Sequence, residues 1–90
     1  MNNKRRKELT TIHQEIEALK DRLLELQEQL ETVVDEEREA FENIPENLAG
    51  SDRYERAEEA VDLLDEALEA LDEAISGLDT TLENIENAQE

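Results

Sequence analysis

The stretch Glu58–Ile85 reads EEAVDLL, DEALEAL, DEAISGL, DTTLENI, four seven-residue blocks in unbroken phase. Around it the apolar residues recur at Tyr54, Ala57, Val61, Leu64, Leu68, Leu71, Ile75, Leu78, Leu82 and Ile85, alternating steps of three and four. That spacing is the seam of a helix packed along another helix, because it keeps one side chain per half-heptad on the same face. Beside the seam runs an edge made only of carboxylates: Glu58, Asp65, Asp72, Asp79 and Glu86. From Ala57 to the end at Glu90 there are twelve acidic residues and no Lys or Arg.

A second heptad pattern precedes it. Leu9, Ile12, Ile16, Leu19, Leu23, Leu26, Leu30 and Val33 read as the seam of a first helix, after which the apolar stripe drifts onto Val34, Ala40, Phe41 and Ile44. Such drift is expected when a straight helix runs against a strict seven-residue repeat. Asn2 or Asn3 is placed to cap the start, and Pro45 forces the preceding residue out of helical geometry. Ser51 is a good N-cap for the second helix, with Asp52 favourable at its positive end. The expectation is one domain over 1–90: a helix at 3–43, a connector at 44–51 and a helix at 52–88. Equal lengths and a short connector predict an all-α, antiparallel two-helix coiled-coil hairpin. Folding about residue 47 sets Leu23 and Leu26 near Leu68 and Leu71. It also sets Lys4, Arg5, Arg6 and Lys7 beside Glu83, Glu86 and Glu90, and Lys20 and Arg22 near Asp72 and Glu73. Phe41 and Tyr54 flank the connector and are expected to pack together with Ile44 or Leu48. Leu24, Val34 and Leu63 fall off the seam, so a homo-oligomer, assembling into a four-helix bundle, is expected to cover them.

Composition narrows the function. Nine Lys plus Arg stand against twenty-seven Asp plus Glu, a net charge of −18, with two aromatics and no Cys. There is no thiolate nucleophile, disulfide or sulfur ligand. The apolar runs are too short for a membrane span, and the charged start MNNKRRKELTT lacks the apolar core of a secretory signal. A cytoplasmic protein without membrane contact is the expectation. No Gly-rich phosphate loop, calcium loop or Glu-x-x-His pair is present, and carboxylates on a solvated convex surface lack the pocket that acid–base chemistry requires. Neither an enzyme nor a cofactor is expected. His13 reads as a solvated edge histidine, with Asp79 across the hairpin as its alternative partner. The Lys4–Lys7 cluster reads as charge compensation at the hairpin's open end, since direct nucleic-acid binding is opposed by the overall charge and the absence of stacking aromatics.

The candidate binding surface is therefore the acidic run Asp62, Asp65, Glu66, Glu69, Asp72 and Glu73, whose three- and four-residue spacing sets neighbours about 5–6 Å apart. Over Ala57–Glu90 the twelve acids amount to one carboxylate per roughly 4 Å of axis, against one phosphate per 3.4 Å of a single DNA strand. The expected partner is a basic, nucleic-acid-handling protein. The alternative is a homo-oligomeric coiled-coil scaffold whose acid serves solubility.

The tip FENIPENLAGSDRY (41–54), followed by acidic heptads, resembles a group of small acidic helical-hairpin proteins of uncharacterised function in bacterial, phage and prophage genomes. They share a basic start and an F-x-N-[IM]-P-x-x-L-x-G-S tip. The resemblance implies a phage or mobile-element setting, where small acidic proteins often inhibit host nucleic-acid enzymes. It brings no activity with it.

Overall fold

A computed structural model describes all residues, Met1–Glu90. Helix α1 spans Asn3–Glu42, a single 3-10 turn covers Glu46–Leu48, and helix α2 spans Asp52–Ala88. The two helices pack antiparallel along most of their length, giving a rod of 69 × 16 × 15 Å. Local chemistry sets each boundary. Asn2 accepts the Arg5 amide on its side-chain oxygen at 2.9 Å, and Ser51 accepts the Tyr54 amide on Oγ at 3.2 Å. Each satisfies one of the amides that a helix start leaves without an internal partner. Pro45 stops α1, and its carbonyl accepts the Leu48 amide to begin the 3-10 turn. Gly50 then turns the chain with φ +87°, a left-handed conformation that side chains disfavour. Phe41 and Tyr54 close the tip as expected, ring centroids 4.9 Å apart and planes tilted by 44°.

Helix α2 presents the seam read from its sequence: every residue from Tyr54 through Ile85 in that series is buried or half-buried, with Val61, Ile75 and Leu82 the most enclosed. Helix α1 corrects its reading. Leu9, Ile16, Leu23 and Leu30 do face α2, but their seam partners are His13, Lys20, Gln27 and Val34. The residues expected in those places are exposed: Ile12 by 45%, Leu19 by 61%, Leu26 by 38% and Val33 by 48%. Relative to expectation, α1 is rolled about its axis by about 50°, half the angle between successive residues. Val34, expected outside the seam, is the most buried side chain of the protein at 1% exposure. Leu24 and Leu63 are exposed, as their positions implied.

The cross-helix contacts also correct the register. Gln27 meets Asp72, Lys20 meets Asp79 and His13 meets Glu86, so each heptad up α1 steps one heptad down α2. Leu26 therefore does not face Leu68 and Leu71, and the chain folds about the Ala49–Gly50 corner rather than about residue 47. The 3-10 turn at Glu46–Leu48 lies on the α1 side of that corner.

Candidate interaction site

The roll of α1 follows from what it meets. The α2 edge carries a carboxylate at each heptad, and α1 offers a polar side chain to each of four. Arg38 pairs with Asp65, and Gln27 donates from Nε2 to Asp72 Oδ1 at 3.3 Å. Lys20 pairs with Asp79, and His13 Nε2 lies 3.0 Å from Glu86 Oε1. The hydrogen bond from Lys20 to Asp79 raises the lysine pKa above its ordinary value, with the nearby negative charges adding to the effect. The hydrogen bond from Arg38 to Asp65 acts in the same direction on the guanidinium. His13 is thus neither solvated nor paired with Asp79: its side chain is 14% exposed, with Glu86 on one ring nitrogen and Glu17 on the other at 2.7 Å. Arg22, expected near Asp72 and Glu73, pairs within its own helix with Glu25 at 2.9 Å.

The six candidate carboxylates therefore divide. Asp65 and Asp72 are turned to α1 and occupied by Arg38 and Gln27. Asp62, Glu66, Glu69 and Glu73 are exposed and pair with no base, and Glu55 and Glu59 continue their line toward the tip. The outward flank of α2 is a row of six unpaired carboxylates over about 27 Å of helix. Helix α2 as a whole carries thirteen acids against two bases, whereas α1 carries twelve acids against seven bases.

The open end corrects another expectation. Lys4, Arg5, Arg6 and Lys7 are all exposed, and none forms an ion pair with Glu83, Glu86 or Glu90. Four bases at a helix start, with no acid in the first turn, oppose the positive end of the helix dipole. Within one chain no carboxylate reaches ion-pair distance of them.

A surface missed by the sequence reading is the exposed line Ile12, Leu19, Leu26 and Val33, one residue per heptad along α1. Its signal was present in the sequence. Polar residues at 13, 20 and 27 repeat in phase with the α2 carboxylates at 86, 79 and 72, and a pairing of those two series displaces the apolar line from the seam. No group of three or more acidic or histidine side chains is arranged to hold a metal ion, and no helix is long and apolar enough to cross a membrane. The concavities of the surface lie at the open end and are lined almost wholly by polar side chains such as Thr10, Gln14, Glu17 and Gln89. Comparison with protein-family models, with curated proteins and with solved structures finds no match.

Proposed function

We propose that this protein is a protein–protein interaction module whose α2 flank takes a basic, nucleic-acid-handling partner, and that it inhibits that partner by occupying its nucleic-acid groove. The observation that carries this reading is the unpaired row Asp62, Glu66, Glu69 and Glu73, extended by Glu55 and Glu59. These carboxylates are held at helical spacing on a stiff rod, one per about 5 Å of axis against one phosphate per 3.4 Å of a DNA strand. A groove that binds phosphates at that interval meets similar charge density here, already ordered. Asp65 and Asp72 support the surface from behind by holding α2 to α1, so their contribution to binding is indirect. The phage-like tip resemblance points the same way.

The test is a competition. The partner captured from host lysate is mixed with labelled DNA or RNA, and the protein is titrated in. Displacement of the nucleic acid, weakening steeply with salt, is expected, because charge pairs at an interface are screened by ions. The variant Asp62→Asn/Glu66→Gln/Glu69→Gln/Glu73→Gln should lose displacement while keeping its helical circular dichroism. Simultaneous binding of protein and nucleic acid sinks the mimic reading. A second reading, the homo-oligomeric scaffold, draws on a separate observation, the exposed apolar line of α1.

A further inference from the structure

We infer that the exposed line Ile12–Leu19–Leu26–Val33 is the seam of a two-fold dimer in which α1 packs antiparallel against α1 of a second copy of this chain, giving a four-helix assembly. The inference is independent of the acidic-flank reading, since it uses the opposite helix. The line is a strict heptad about 32 Å long, and its neighbours Leu9, Ile16, Leu23 and Leu30 are only half-buried by α2. A hairpin alone encloses four residues of ninety, so α1 has apolar surface on two sides and only one of them covered. A single helix laid along this groove would remove those side chains from water.

Charge selects the occupant and its direction. A partner on α2 meets thirteen acids with two bases, whereas α1 carries twelve acids with seven bases, so two copies approach with less repulsion through α1 than through α2. An antiparallel arrangement centred between Leu19 and Leu26 sets Ile12 level with Val33 of the copy and Leu19 level with Leu26. It then brings the unpaired Lys4–Lys7 cluster level with Arg38, Glu39, Ala40 and Phe41 of the copy, where Arg38 is held by Asp65 of its own chain and Glu36, Glu37 and Glu42 lie within about a turn. Arg5, one heptad before Ile12 on the same line, comes level with Ala40 and against Glu36 and Glu37. These acids answer the bases that the hairpin leaves without partners. A parallel arrangement instead opposes Lys4–Lys7 to themselves and the acids to themselves. Arg22 falls beside the two-fold axis, where Glu25 already accompanies it at 2.9 Å.

Cysteine cross-linking reads out both the interface and its direction, because the native chain has no cysteine. Leu19→Cys and Leu26→Cys chains, mixed, should cross-link through a short thiol-reactive linker, while Leu19→Cys alone should not link to itself. Sedimentation should give twice the 10.4 kDa chain mass, and Leu19→Glu/Leu26→Glu should sediment as a monomer with its helix content retained. Reversing Lys4–Lys7 to Glu should weaken association at least about tenfold, a loss that lessens with salt. That variant leaves the apolar line intact, so it separates the electrostatic claim from simple misfolding. A native chain that sediments as a monomer, or Leu19→Cys chains that link to themselves, overturns the proposal. So does a charge-reversed variant that dimerises as tightly as the native chain.

Discussion

Lys20 and Val34 occupy equivalent positions two heptads apart on α1, yet one hooks a carboxylate and the other is the best-buried side chain in the protein. The contrast shows how the seam is held: apolar residues from α2 on one side, and a mixture of apolar and polar side chains from α1 on the other. Ile75 is buried, so Ile75→Ala should cost about 2–4 kcal/mol in chemical denaturation. Leu19→Ala, measured at dilutions where the chain is monomeric, should stay within about 0.5 kcal/mol, because its side chain is exposed. Equal losses at the two sites would mean that α1 is rolled differently. The Lys20–Asp79 contact has its own signature in pH. A base whose folded pKa is raised contributes fully below its ordinary value, about 10.5, and loses that contribution as pH rises through the folded value. Thermal melts should therefore show Lys20→Met destabilised relative to the native chain near neutrality, with the difference closing at strongly alkaline pH. A difference that stayed constant would remove the ion pair from the account.

At the scale of the elements, α2 was fully legible and α1 half so. In α2 one face is apolar and every other position is polar, Ala, Gly or the lone Leu63, so a single packing satisfies the pattern. In α1 the line Leu9–Ile16–Leu23–Leu30 is flanked by an apolar line on one side and a polar line on the other. Hydrophobic periodicity chooses the first flank, whereas the acid edge of α2 chooses the second. Periodicity weighs each helix alone, and this choice is made between helices. For the same reason the division of the acidic candidates was hidden: nothing local to α2 distinguishes Asp65 from Glu66, and only Arg38 across the seam does. Helix ends were legible because caps are local. Two glycines extend the argument. Gly50 sits at φ +87°, so Gly50→Ala should destabilise by about 1–2 kcal/mol. Gly77 lies within α2 with open space where a side chain would begin, so Gly77→Ala should stabilise by about 0.5–1 kcal/mol. Denaturant midpoints of the two variants should move in opposite directions, and a shared direction would contradict the tip geometry.

For the whole molecule, a net charge of −18 on a rod 16 Å across sets the background against which every contact works. The two cross-helix ion pairs, Lys20–Asp79 and Arg38–Asp65, do not neutralise it, so self-repulsion opposes the compact state and added salt should raise the melting temperature. A melting temperature that fell steadily with salt would assign more weight to the ion pairs than the geometry gives them. Helix α1 turns its polar line onto the α2 acid edge, leaving one row of carboxylates and one apolar line facing outward. The most direct measurement is intrachain cross-linking of dilute double-cysteine variants with a short thiol-reactive linker. Gln27→Cys/Asp72→Cys should close efficiently within one chain, following the contact between those side chains. Gln27→Cys/Asp65→Cys should close poorly. If the second pair links better than the first, α1 is set against α2 about a heptad away from this register, and the assignment of clasped and outward carboxylates falls with it.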